Sequence, residues 1–125
     1  MIRGIKIVSI PVSNQEVALD FYTRKVGFKV ATDRPSPSPE SPSQRWIELL
    51  IPGSDVNLAL FTPKGHQDRI GSVQPVTFWC DDCFATAATL KSRGVELVAE
   101  PKREIWGSTA IFKDPDGNQL VFSSR

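Results

Sequence analysis

Ala110-Ile111-Phe112-Lys113-Asp114-Pro115-Asp116-Gly117-Asn118-Gln119-Leu120-Val121-Phe122 has the composition of a β-hairpin. Two short runs rich in β-branched and aromatic residues flank Asp-Pro-Asp-Gly, where proline presets one turn torsion and glycine supplies a positive φ. The hairpin closes a sheet. What binds to that sheet is then set by the side chains that these strands, and their counterparts earlier in the chain, point to its concave side.

Working outward, the rest of the chain repeats this pattern. Ile5 to Val12 reads as a strand, and Ser13-Asn14-Gln15-Glu16 as a capping box with Ser13 as the cap, opening a helix to about Lys25. Val17, Ala18, Phe21, Tyr22 and Val26 form its apolar stripe, Gly27 ends it, and Phe28 to Thr32 follows as a strand. Arg45 to Ile51 and Val56 to Phe61 complete a βαβββ unit. Between them Pro35 to Ser43 is a proline- and serine-rich loop, either a flap or a plain connector.

After Thr62 to Gly71, which carries turn residues and no apolar period, the pattern restarts. Gln74 to Cys80 is a strand, Asp81 or Asp82 caps a helix bearing Phe84, Ala87, Ala88 and Leu90, and Gly94 stops it. Val95 to Val98, Ser108 to Phe112 and the last arm of the hairpin supply three more strands. Val26-Gly27-Phe28-Lys29-Val30 echoes Arg93-Gly94-Val95-Glu96-Leu97, and Asn57 to Phe61 echoes Gln119 to Ser123. The expected fold is α+β: two tandem βαβββ modules forming a half-open, barrel-like mixed sheet with helices on the outer face. One domain spans 1–125, with module one at 1–62, a linker at 63–72 and module two at 73–125. Open sheet edges favour pairing with a second copy, so a homodimer is expected.

Composition narrows the function. With 125 residues, 40% hydrophobic and 23% charged, the chain suffices for one packed domain burying about two-thirds of its unfolded surface. Fifteen Lys and Arg stand against fourteen Asp and Glu without a basic stripe, which argues against a nucleic-acid partner. Met1 to Lys6 lacks a signal peptide's apolar core, and no apolar run approaches the ~18 residues of a membrane span, so a soluble cytoplasmic protein is expected and no membrane partner. Cys80 and Cys83 lack the further ligands of a zinc site, and the aspartates between them disfavour the thiolate of a redox pair; they read as two reduced thiols. His66, the single histidine, sits in a loop without a paired acid or nucleophile and reads as solvated.

Ala18-Leu19-Asp20-Phe21-Tyr22 followed by Val26-Gly27-Phe28, the second helix ending in Arg93-Gly94-Val95, and Phe112-Lys113-Asp114-Pro115-Asp116-Gly117-Asn118 together resemble the glyoxalase, bleomycin-resistance and extradiol-dioxygenase group, the vicinal oxygen chelate superfamily. The resemblance covers nearly the whole chain. It implies that metal-dependent relatives hold one divalent ion with four side chains, one from the first and one from the fourth strand of each module. Counting along the matching motifs puts those positions at Ile7, Ala59, Pro75 and Val121, none of which can coordinate. No metal and no cofactor are therefore expected.

Alternation along the strands then sets the open face. Ser9, Asn57, Phe61, Thr77, Trp79 and Gln119 share it with the four hydrocarbon positions, as do Trp46, Glu48 and Leu50, and Thr109 and Ile111. Trp106, just before the seventh strand, either closes one end of the groove or meets a dimer partner. The face is apolar and ring-lined, the composition of small-molecule sites. Glu48 beside indoles suits a cationic planar guest, unless it is exposed or paired to Arg45 or another nearby base. Trp46 and Trp79 either line the site or fill the core. The resemblance to the bleomycin-resistance branch implies a metal-independent protein that sequesters an aromatic or cationic small-molecule ligand. The alternative is a lyase, isomerase or dioxygenase of the same fold with Glu48 as general base or a metal at a displaced site.

Overall fold

The computed structural model describes residues 1–36 and 44–125. Those residues form two compact units, Met1–Arg69 and Ile70–Arg125, the division falling inside the 63–72 segment. The first unit runs β1 (Ile7–Pro11), α1 (Gln15–Asp20) continued by a π-helical turn at Phe21–Val26, β2 (Lys29–Pro35), β3 (Arg45–Leu50) and β4 (Asn57–Phe61). The second runs β5 (Val73–Trp79), α2 (Cys83–Ser92), β6 (Leu97–Glu104), β7 (Gly107–Lys113) and β8 (Gln119–Ser124). Each is a βαβββ module with a four-stranded mixed sheet, ordered β1-β4-β3-β2 and β5-β8-β7-β6. The fold is α+β.

The proline positions follow from those orders. Pro11, Pro35, Pro75 and Pro101 lie in β1, β2, β5 and β6, which are the four edge strands. A residue without an N–H costs a ladder bond in a central strand and little at an edge. The ladder also shifts register around two of them, between Val73 and Thr77 and between Ala99 and Lys102. This corrects two readings. β2 continues into Pro35, with the Ser36 N–H donating to Gln44 O at 2.8 Å, so the loop begins later than Pro35; the flap-or-connector question falls on 37–43, outside the described residues. β6 runs through Pro101 to Glu104 instead of stopping at Val98.

Both helix starts are capped by side-chain oxygens. Asn14, not Ser13, is the first cap, its amide oxygen accepting from Val17 N at 3.1 Å. Asp82 caps α2, accepting from Phe84 N and Ala85 N. Gly27 ends the first helix with φ 99°. Ala18, Phe21 and Tyr22 are buried in the first unit, Tyr22 stacking on Phe28 at 6.2 Å, whereas Val17 is half exposed and does not belong to the stripe. On α2 the buried line is Cys83, Ala87 and Leu90, at helical spacing, and Phe84 and Ala88 point outward. α2 packs on β6, β7 and β8, where Ala110, Phe112, Leu120 and Phe122 form the core of the second unit.

The Asp114–Asn118 turn is a hydrogen-bonded knot. Gly117, at φ 80°, donates to Asp114 O at 3.0 Å, and one Asp114 carboxylate oxygen accepts from Asp116 N and Asn118 N, both at 2.9 Å. Asn118, fully buried, donates from Nδ2 to Asp114 Oδ2 at 2.8 Å and accepts from Gly71 N at 2.7 Å and Gln74 Nε2 at 2.9 Å. The turn thereby fixes the entry of β5 to the β7–β8 hairpin.

Candidate functional site

Strand pairing fixes which side chains share a face. In the first unit β3 opposes β4 with Glu48 facing Ala59 and Leu50 facing Asn57, and β1 lies parallel to β4 with Ile7 beside Asn57 and Ser9 beside Ala59. Ile7, Ser9, Trp46, Glu48, Asn57, Ala59 and Phe61 therefore lie on one face of this sheet. The opposite face carries Ile10, Ile47, Leu49, Leu58 and Leu60, all buried.

Within that first face Trp46, Glu48 and Asn57 form a connected group. The Trp46 indole N–H donates to one Glu48 carboxylate oxygen at 2.7 Å and the Asn57 amide donates to the other at 3.3 Å. The Trp46 bond holds the Glu48 carboxyl below its usual range against the opposing effect of desolvation; the Asn57 bond and the charges of Lys6 and Arg34 act in the same direction. Arg45 is not its partner. Residues 45 and 48 point to opposite sides of β3, and Arg45 instead binds Asp33 on the neighbouring strand, at 2.5 Å, and Glu16 at the start of α1. Trp46 is 38% exposed, so its indole covers the face instead of filling the core.

In the second unit Val121 lies between Thr77 and Ile111, Ser123 between Trp79 and Thr109, and Gln119 beside Lys113. These form the face turned away from Leu120 and Phe122. It is polar at one end, where the Thr109 hydroxyl donates to Ser123 Oγ at 3.2 Å and Ser123 donates to Ser108 O at 2.9 Å. Trp79 is 73% exposed at the end of β5 and does not fill the core. Trp106 lies in the two-residue turn between β6 and β7, 63% exposed. Together they line a cleft of about 500 Å³ that also takes in Arg103 and Arg125.

The sequence alone does not point to either arginine: a β6 that ends at Val98 leaves Arg103 in a connecting segment, and Arg125 follows the last strand. The signal was nevertheless present: an edge strand tolerates Pro101, and Ala99 to Lys102 alternate apolar and polar, as a strand continuing towards the Trp106-Gly107 turn does.

A scan of protein families matches residues 4–122 to the glyoxalase/bleomycin resistance protein/dioxygenase superfamily. The chain belongs to that superfamily. It is 36% identical over 124 residues to the uncharacterized protein YetH of Bacillus subtilis strain 168, covering 97% of this chain and 98% of YetH. Among solved structures it is similar to TnmS3, an antibiotic binding protein from Streptomyces sp. CB03234, with 35% identity, a TM-score of 0.85 and coverage of 98% and 96%. A superfamily member from Sphaerobacter thermophilus DSM 20745 gives 30% identity, a TM-score of 0.84 and coverage of 99% and 98%.

The divalent ion of metal-dependent superfamily members does not fit the residues present. Ile7, Ala59, Pro75 and Val121, the positions that the resemblance gives to the ligands, have hydrocarbon side chains with no donor atom, and among the described residues no group of three or more His, Cys, Asp or Glu is placed to hold a metal. No helix in the described residues is long and apolar enough to cross a membrane.

The thiols are chemically distinct. Cys83 is buried, its Sγ 3.7 Å from Phe122 O, and burial, followed by its neighbour Cys80, pushes its thiol up to about 11. Cys80 is half-buried, and both are free. Iodoacetamide at about pH 8 should therefore label Cys80 alone in the folded protein and both thiols in urea, as read by intact mass. Two labels on the native chain at equal rates would contradict this placement of Cys83.

Proposed function

We propose that this protein binds a small planar organic compound without a metal, a cationic group on the ligand being held by Glu48 against the Trp46 indole. The observation that carries this reading is the Trp46–Glu48–Asn57 group: an ionised carboxylate, fixed on both oxygens, beside an exposed aromatic face. Charge pairing and cation-π contact suit such a surface, the latter worth roughly 0.5–2 kcal/mol. The similarity to TnmS3, described as antibiotic binding, supports the same class of activity.

The alternative use of Glu48, as a general base, is less well served. An effective base needs a pKa near the working pH, and the hydrogen bonds that keep Glu48 ionised also weaken it as a base.

Titration of tryptophan emission with planar amines and their neutral analogues tests the proposal. Glu48→Gln should weaken amine binding about tenfold, equivalent to ~1.4 kcal/mol, and leave the neutral analogues unaffected. Because the Trp46 bond holds the Glu48 carboxyl below the usual carboxylate range, amine affinity should stay level from about pH 8 to about pH 5 and fall only under more acid conditions. The same sign holds for folding: the stabilisation from a depressed carboxyl is present above its unfolded value and disappears as pH falls through the folded one. Equal loss for amines and neutral analogues in Glu48→Gln would count against the charge pair.

A further inference from the structure

Cys80 and Cys83 stand where β5 passes into α2, and both lie against the last strand, β8. The Cys80 N–H donates to Ser123 O at 2.9 Å, and its thiol donates to the same oxygen at 3.5 Å. Cys83 donates its N–H to Ser124 Oγ at 3.1 Å and its thiol to Phe122 O at 3.7 Å. Two sulfurs bonded to consecutive carbonyls of one strand are fixed side by side. They also meet each other: after burial, contact with Cys80 is what raises the Cys83 thiol.

The acids between them are directed elsewhere. Asp82 turns a carboxylate oxygen to the helix, accepting from Phe84 N at 2.9 Å and Ala85 N at 3.2 Å, and Asp81 is exposed. The two thiols differ in access. Cys80 is half-buried, whereas Cys83 has no solvent exposure. A dissolved oxidant therefore reaches Cys80, and the thiol that the oxidised Cys80 then meets is Cys83.

We infer that Cys80 and Cys83 close a reversible disulfide when the protein meets a hydroperoxide, Cys80 taking the oxidant and Cys83 completing the bond. In the first step the Cys80 sulfur attacks a peroxide oxygen; an S–O bond forms, the O–O bond breaks, and water or an alcohol leaves with the Cys80 proton. In the second the Cys83 sulfur attacks that of Cys80; the S–S bond forms, the S–O bond breaks, and hydroxide leaves as water with the Cys83 proton. The two thiols together lose two electrons and one hydroperoxide gains them. A loop of four residues, Cys80 to Cys83, restricts the unfolded chain little when closed, so the bond is a modification of the folded protein more than a staple. The inference is independent of the Glu48 reading.

The test exposes the intact chain to a small excess of hydrogen peroxide, followed by alkylation in urea and mass spectrometry. The parent protein should lose the mass of two hydrogens and take up no iodoacetamide; after dithiothreitol it should take up two labels. Proteolysis on the N-terminal side of Asp81 or Asp82 cuts between the cysteines, so the two pieces of the oxidised chain should stay joined until reduced. That readout needs no variant. In C83S the Cys80 sulfenic acid has no partner, and should be trapped by dimedone or pass on to the sulfinic acid, neither of which the parent should show. In C80S the Cys83 thiol should survive the same exposure, with circular dichroism confirming that both variants are folded. A parent chain that carries sulfinic acid on Cys80 beside a free Cys83, that links to a second chain, or that keeps both thiols while glutathione in the same solution is oxidised, would overturn the assignment. So would a C80S variant that loses its remaining thiol as fast as the parent does.

Discussion

Gly107→Ala is expected to lower stability by about 2–4 kcal/mol, combining backbone strain with overpacking. Gly107 opens β7 at φ 139°, a region that L side chains rarely adopt, and a Cβ there would lie 2.2 Å from Ser124 O and 3.1 Å from Arg125 Cα. Those atoms are not the tips of flexible side chains. Ser108 pairs with Ser124 in the β7–β8 ladder, and the Ser124 hydroxyl accepts from Cys83 N at 3.1 Å, tying the strand end to the first turn of α2. The methyl group must therefore displace two strands and a helix start together. Gly53→Ala is the matched control, with φ 83° and open space around the added carbon, so it carries the torsional strain alone, about 1 kcal/mol or slightly more. Urea midpoints for the two variants decide the matter. Equal losses would mean that the Ser124 contact relaxes freely and that the close packing of β7 on β8 contributes nothing.

The architecture was legible in the sequence because its two signals are periodic. Alternation along Arg45–Leu50, Gly107–Lys113 and Gln119–Ser124 assigns faces from a single register, and the observed pairings give those strands that alternation. Alternation also had the power to separate Arg45 from Glu48, three residues apart on one strand, and to send Arg45 to the side of Glu16. Other features depended on information that no local window holds. Pro35 reads as a strand breaker until the sheet order shows that β2 is an edge, and the same order accounts for Pro101 inside β6. Val17 fits a helical stripe by spacing, but α1 gives way to a π-helical turn at Phe21, and the widened turn carries Phe21 and Tyr22 inward without it. Ser13 and Asn14 are both competent caps, and the choice between them depends on where the strand before them releases the chain.

The candidate site was legible to a smaller extent, for a related reason. The residues of the Trp46–Glu48–Asn57 group could be placed on one face by parity, but the bonds that join them depend on the register of β3 against β4. The Arg103–Arg125 cleft depends on two chain segments meeting beside a turn, which neither periodicity nor composition reports. Charge alone was uninformative here, because fifteen basic and fourteen acidic residues cancel while individual faces do not.

Asn118→Leu is expected to cost roughly 2–3 kcal/mol, since removing the hydrogen bonds of one buried polar group costs about 1–3 kcal/mol, and the Gln74 amide keeps its bonds to Ser72. The substitution keeps the volume and removes the amide. Gly71 N then loses its 2.7 Å acceptor, the Gln74 amide its 2.9 Å acceptor, and Asp114 Oδ2 its 2.8 Å donor, all around a residue with no solvent exposure. A second variant separates this polar effect from poor packing. Asn118→Asp retains an acceptor for Gly71 and Gln74 but places a second carboxylate against Asp114, and two such neighbours share a proton more readily than either holds one alone. The folded pKa of that pair rises above its unfolded value, so the variant binds more protons folded than unfolded and loses stability as pH rises. Thermal midpoints from about pH 4 to about pH 8 should therefore show Asn118→Asp falling towards Asn118→Leu with increasing pH, whereas the leucine variant stays parallel to the parent chain. A pH-independent deficit in Asn118→Asp would mean that the knot opens to water when the amide is lost, and that Asp114 escapes the repulsion by turning outward.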